Sequence, residues 1–266
     1  MPTSHPAKPH VGCVRYLNSK PLIHGHDEEV SFETPASLAD GLRAGRLDVA
    51  LSPIFELLAH PGYLVVDDVA IACDGPVFSV YVAHCGPLAE LRTLYLDRDS
   101  RTSYNLQRVL LAEFYGLTPR CEPFPDAGPP TQLGPGEGAL IIGDPAIDYR
   151  LAQGERYQYL DLGTAWREAT SLPFVFAAWL VRPGTPQPET LAERLRAWRA
   201  EGQRRVEEVV AAEHRYPPEL SRRYLTEHIR FRLGSAEKQA IREFARLLHK
   251  YQMLPGSGEF QDPIWI

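Results

Sequence analysis

Ser100, Arg101, Thr102 and Ser103 place three hydroxyls and a guanidinium in four consecutive residues. The β-rich run TLYLD precedes them, and the amphipathic SYNLQRVLLAEFYG follows. They therefore sit where a strand ends and a helix begins. Unpaired N–H groups, the helix dipole and an arginine fork all favour a carboxylate at such a point. The same residues serve equally well as a helix cap, with Ser100 or Thr102 capping and Arg101 in solvent.

Three further segments end strands in the same manner, and a fourth, DGPVFSV, leads into one. YLNSKPL offers Asn18 and Ser19, either as ligand contacts or as a turn before Pro21. DGPVFSV brings Ser79 after a Gly-Pro turn, where a serine is also an ordinary strand residue. DVALSPIFE sets Ser52 at a strand end, and IIGDPAI does the same for Asp144. Each of the last two is a ligand contact, a helix cap or both. The pair His24-Gly-His26 lacks a third ligand and lies in the polar HGHDEE, so it reads as a solvated loop, and no metal site is expected. GxSxG, Walker A, GxGxxG and HExxH patterns are all missing from the sequence.

The elements that must position these groups alternate strand and helix. HVGCVRY, VSFETP, LDVALSPI and YLVVDDVAIACDG read as strands, with helices at Pro35–Ala44 and IFELLAHP. VFSVYVAHC leads into a second series, in which TLYLD and GALIIGD alternate with helices. PFVFAAWLV is a last strong strand, and the chain after Pro188 is mainly helical. The Pro/Gly-rich Glu122–Gly138 reads as a surface loop. This rhythm predicts an α/β protein with a parallel-rich sheet in each of two lobes. The expected division is residues 1–88 plus 178–266 for lobe one and 89–177 for lobe two. Folds of this kind bind ligands in the cleft between lobes.

With 44% hydrophobic and 23% charged residues among 266, the composition is that of a globular protein. A net charge of −6 without a basic run disfavours nucleic acid or an anionic membrane as partner. A local cluster of donors still suits a small anion. No apolar stretch reaches the length of a membrane span, and the opening residues lack a signal-peptide core, so the expected location is the cytoplasm. The four cysteines have no CxxC spacing and are expected as buried free thiols.

In chain order, YLNSKPL, LDVALSPIFELLAHPGYL, ACDGPVFSV, LDRDSRTSYNL, ALIIGDPAI and YLDLGTAWREATSLPFVFAAW resemble the chorismate dehydratase family of the futalosine route to menaquinone. The resemblance runs from Val11 to near the end of the chain. It implies a two-lobed, type II periplasmic-binding-protein-like α/β fold with a helical C-terminus. It also implies dehydration of chorismate to 3-[(1-carboxyvinyl)oxy]benzoate, a hydro-lyase reaction without metal or organic cofactor. Asn18 and Ser79 would be catalytic. Ser19, Ser52, Ser100, Arg101, Thr102, Ser103 and Asp144 would contact substrate. Phe78 stands where the family varies, and Ser52-Pro53 departs from the two small hydroxyl residues usual there.

The residues suit that substrate, which carries two carboxylates and a hydroxyl. No motif supplies a histidine, so the expected base is the substrate's own enolpyruvyl carboxylate or Asp144. A solute-binding protein, a ligand sensor and the sister naphthoate-forming enzyme of the same route are the alternatives on this fold.

Overall fold

Buried strands and amphipathic helices alternate from Val11 onward and build two separate sheets. The computed structural model describes residues 8–96, 100–255 and 260–266. Residues 1–7 and 256–259 of the expected first lobe, and Asp97–Asp99 of the LDRDS stretch, lie outside the described residues.

The first sheet starts with β1 (Val11–Cys13), β2 (Val30–Phe32), β3 (Val49–Pro53) and β4 (Leu64–Cys73), joined through helices α1 (Lys20–Ile23), α2 (Pro35–Arg43) and α3 (Ile54–Ala59). The second holds β5 (Val80–His84), β6 (Thr93–Leu96), β7 (Arg120–Pro123), β8 (Glu137–Ile142) and β9 (Gln158–Asp161). Its helices are α4 (Arg101–Phe114), α5 (Gly143–Gln153) and α6 (Leu162–Thr170). The chain then returns to the first sheet as β10 (Phe174–Val181). Helices α7 (Pro188–Arg204), α8 (Val206–Ala212), α9 (Pro218–Arg223) and α10 (Ser235–Lys250) follow, before β11 (Ile264–Trp265). Strand orders are β11-β4-β10-β3-β1-β2 and β7-β6-β8-β5-β9.

Both sheets mix parallel pairs, the majority in the first sheet, with antiparallel ones. β1 runs parallel to β2 and β3, but β10 is antiparallel to β3 and β4. Likewise β5 is antiparallel to β8 and β9. The reversed strands are the two that enter their sheet from the other lobe. Val80 already pairs with Ile142 in the second sheet, and Phe174 with Cys73 in the first. The chain therefore crosses between the sheets at 74–79 and, after α6, at 171–173. An apolar run announces a strand but not the sheet it joins.

Local chemistry explains the helices nearest the cleft. Thr34 caps α2 by accepting the Ser37 N–H, and Pro35 occupies the first helical position, where its missing N–H costs nothing. Leu38 and Leu42 of that helix, with Val49 and Leu51 of β3, join a core that continues under both sheets. Burying each such side chain contributes roughly 1.5–3 kcal/mol.

Several expectations shift in detail. β7 occupies the start of the expected surface loop as an edge strand against β6. The expected long tail helix breaks at Arg205, and Tyr224–His228 form a π-helical turn. Cys13 and Cys73 are buried free thiols, while Cys85 and Cys121 are only half-buried. Among the described residues no helix is long and apolar enough to cross a membrane.

Candidate active site

The first crossing forms one wall of the cleft, and its shape is imposed by Asp161. That carboxylate accepts the N–H of Val77 at 3.1 Å and of Phe78 at 2.8 Å, and also caps α6 through Thr164 N–H at 3.0 Å. Within the turn, Ser79 N–H donates to Val77 C=O at 2.8 Å, closing a three-residue turn about Phe78. Phe78 has φ 66°, the rarer and strained hand of a γ-turn, which for a bulky residue costs on the order of 1–3 kcal/mol. Stacking of Phe78 on His228, centroids 5.4 Å apart, helps to hold it. Gly163 lets α6 approach closely, because a Cβ there would lie 2.4 Å from Gly75 O and 2.5 Å from Cys73 Sγ. Alternation along the turn then sends Val77 and Ser79 towards the cleft and Phe78 away from it.

The cleft holds about 600 Å³ of space, counting its open mouth. Asn18, Ser79 and the run Ser100–Ser103 all line it, against an apolar surround that includes Leu51, Ile71 and Phe176. Ser79 Oγ lies 2.7 Å from the phenol oxygen of Tyr224, to which Asn18 Nδ2 donates at 3.2 Å. Among the described residues Asn18 Oδ1 and Ser100 Oγ are buried with no partner. An orphan polar atom in a cleft wall carries a penalty of about 1–3 kcal/mol that a ligand can relieve.

Ser100 occupies the N-cap position of α4, but its side chain makes no capping bond. The first intrahelical bond is Tyr104 N–H to Ser100 C=O, so the N–H groups of Arg101, Thr102 and Ser103 have no partner within the helix. Thr102 Oγ1 accepts the Phe55 N–H at 3.2 Å, tying α4 to α3 across the cleft. Arg101 donates to Glu56 at 3.2 Å and to Asp40 at 2.8 Å. Its charge thus joins the two lobes at the cleft edge.

Three expected contacts fall outside the lining. Ser52 lies between Leu51 and Pro53, which both face the cleft, so strand alternation turns Ser52 to the other side. Ser19 shares its hydroxyl proton between the carbonyls of Val14 and Tyr16, at 2.7 and 2.8 Å. Asp144 is not the cap of α5, a position held by Ile142. Its carboxylate accepts the Leu17 N–H at 2.9 Å and so joins the lobes at a second place. Burial raises the Asp144 pKa to about 6, against the lowering effect of that bond.

Tyr224 and Asp161 are the residues that pattern alone misses. Tyr224 sits in a helical tail with no local sign of chemistry, while Asp161 opens the DLG motif as one more helix-capping aspartate. Gly143 follows the strand of IIGDPAI. At φ +64° it lets the Tyr16 ring rest where a Cβ would be, 2.9 Å away. The histidines of HGHDEE are accounted for structurally, with His26 stacked on Trp198 at 4.4 Å and His24 3.6 Å from Glu208.

Two α/β lobes, two crossings and a donor-lined cleft between them define a protein of the periplasmic-binding-protein fold. Solved structures agree. A protein of Archaeoglobus fulgidus superposes with a TM-score of 0.73 at 12% identity, covering 94% of this chain and 100% of that one. The periplasmic aliphatic sulphonate binding protein of Escherichia coli gives 0.63 at 14% identity, with 97% of each chain covered. Within that fold the sequence is more specific. Residues 9–250 match the menaquinone biosynthesis family. A curated chorismate dehydratase of Thermus thermophilus is 34% identical over 264 residues, spanning 91% of this chain and 96% of the relative. The chain belongs to this menaquinone biosynthesis family.

Proposed function

We propose that this protein is a chorismate dehydratase, which removes water from chorismate to give 3-[(1-carboxyvinyl)oxy]benzoate. The observation that carries this reading is the meeting of Asn18, Ser79 and Ser100–Ser103, distant in the chain, on one cleft. The N–H groups at the start of α4, which have no partner within the helix, and the Ser100 hydroxyl suit a carboxylate, and the apolar surround suits the ring. Ser19, Ser52 and Asp144 support the walls from outside.

Loss of the C4 hydroxyl and the C3 proton makes the ring aromatic, so the driving force lies in the substrate. The cleft has to hold one conformer and stabilise charge as it develops. Among the described lining residues there is no carboxylate and no histidine. This supports a reaction in which the substrate's enolpyruvyl carboxylate takes the C3 proton and the C3–H pair becomes the new ring double bond. The C4 oxygen departs with its bonding pair and takes up a proton to leave as water, and the carboxylate then gives up the proton it took. Asn18 and Ser79 act on the reacting end, and Arg101, Thr102 and Ser103 on an anionic group.

The lobes of this reading are residues up to Cys73 with Phe174 onward, and Val80–Thr170. Its partner is a small anion rather than nucleic acid or membrane, and its place is the cytoplasm, where such a substrate is made and used. Incubating the purified chain with chorismate should release an aromatic product, seen as a new ultraviolet absorbance. A solute-binding protein of the same fold would bind chorismate and leave its spectrum unchanged, and that result would end the proposal.

A further inference from the structure

Tyr224 stands at the start of a π-helical turn in the C-terminal tail, wholly buried, with its phenol oxygen between Asn18 and Ser79. π-turns in helices often mark functional positions, since they re-aim one side chain. The hydrogen bonds around this oxygen can be counted. An amide nitrogen only donates, and a phenol has one proton and two lone pairs. Asn18 Nδ2 at 3.2 Å therefore takes one lone pair. Among the described residues the phenol's other partner is Ser79 Oγ at 2.7 Å. A buried O–H left unpaired is costly, so the phenol proton goes to Ser79. Ser79 then accepts, and its own proton is free to point into the cleft that it lines. The amide is held nitrogen-inward, which leaves Asn18 Oδ1 buried and, among the described residues, without a partner, on a side chain that lines the cleft.

We propose that Tyr224 is a positioning residue that sets the direction of this chain, so that the cleft presents Asn18 as an acceptor and Ser79 as a donor. This rests on the proposed function for its substrate and goes beyond it in assigning the contacts. A carboxylate offers no proton and would be repelled by Asn18 Oδ1. A hydroxyl can satisfy both groups at once, donating to Asn18 Oδ1 and accepting from Ser79. The pair therefore grips the departing C4 hydroxyl of chorismate. The ring carboxylate and the enolpyruvyl carboxylate are left to other donors, such as the N-terminus of α4.

Two measurements test this. Neutron diffraction from the deuterated wild-type chain should show the Tyr224 deuteron on the line to Ser79 Oγ and both amide deuterons on the Asn18 atom nearest the phenol. A Tyr224 deuteron directed at Asn18 overturns the proposal, and this readout needs neither a variant nor turnover. In steady-state kinetics with chorismate, Tyr224→Phe should lower kcat by about tenfold or more with KM changed less than about threefold, because the two lost bonds orient groups that act on the leaving oxygen. A folded Tyr224→Phe chain with wild-type kcat also overturns it. If the wild-type chain does not turn over chorismate, the proposed function fails, while the deuteron positions still decide the direction of the chain.

Discussion

Asn18 and Asp144 are separated by one hydrogen-bonded residue, Leu17, yet opposite outcomes are expected from exchanging acid and amide at the two positions. Asn18→Asp removes the N–H that Tyr224 accepts, so the phenol must turn and donate to the new carboxylate. Ser79 then turns its proton inward to the phenol, and the cleft gains a negative charge beside an anionic substrate. The expected loss in kcat/KM is about 100-fold or more, in line with removal of a positioned electrostatic contact. Asp144→Asn keeps an oxygen for the Leu17 N–H and should retain most of the activity. Loss of turnover with chorismate binding intact would instead make Asp144 the base. Asp144→Asn also has a signature in stability. Because the folded Asp144 pKa is raised to about 6, its favourable contribution is present below the unfolded carboxylate range and is lost as pH rises through about 6. Denaturant melts between pH 4 and 7 should show wild-type stability falling relative to Asp144→Asn, by on the order of 2–3 kcal/mol for a shift of that size. Parallel profiles would show that Asp144 pays no desolvation cost.

Asp161 shows at the scale of elements how a motif acts without touching substrate. Its carboxylate gathers three N–H groups from the crossing turn and from α6, and the turn it stabilises aims Ser79 into the cleft. Asp161→Ala leaves those donors without their acceptor and lets Phe78 relax out of its strained φ. The expected result is a loss of about 2 kcal/mol or more in stability, with kcat reduced well beyond what Thr164→Ala produces. Equal activity in the two variants would mean that the turn holds itself. The rest of the DLGxxW stretch has a similar scaffolding role, with Trp166 Nε1 donating to Pro173 C=O at 2.9 Å beside the second crossing. This is why the fold was easier to read than the site. Strand and helix runs such as LDVALSPI carry their period in the sequence. Ser79 and Ser100–Ser103 stand at strand and helix ends, where caps and turns explain such residues equally well, so only the motifs taken together single them out. Ser52 stands one residue of alternation away from the lining, and the pairing of β3 with β10 decides which face that is. Tyr224 was invisible because its role comes from a packing contact more than 140 residues along the chain from Ser79.

The whole molecule is two lobes joined at crossings that carry unusual backbone. Gly75 and Phe78 in the first, and Ser171 in the second, all have positive φ. Hinges that absorb rotation are short segments of this kind. In the described state the lobes are joined by Leu17 to Asp144, by Phe55 to Thr102, and by Arg101 to Asp40 and Glu56. The Arg101 connection differs from an ordinary surface pair. Asp40 is half exposed and its bond is worth little, but Glu56 is 1% exposed and shares its charge among Arg101, Arg43 at 3.4 Å and the Tyr63 hydroxyl at 3.3 Å. Removing Arg101 leaves the buried Glu56 carboxylate with longer contacts, to Arg43 at 3.4 Å and to His60 at 3.9 Å, and also removes a cation from the end of α4 proposed to hold an anion. Both effects disfavour the closed, liganded state more than the chemical step. Arg101→Ala should therefore raise KM for chorismate by about tenfold or more, as expected for one charge-assisted bond of roughly 1.5–3 kcal/mol, with a smaller change in kcat. Arg101→Lys, which keeps the charge but loses the fork that reaches Glu56 and Asp40 together, should fall between the two. If a folded Arg101→Ala chain keeps the wild-type KM, lobe closure and carboxylate capture both depend on other groups, and Arg101 is only a surface charge.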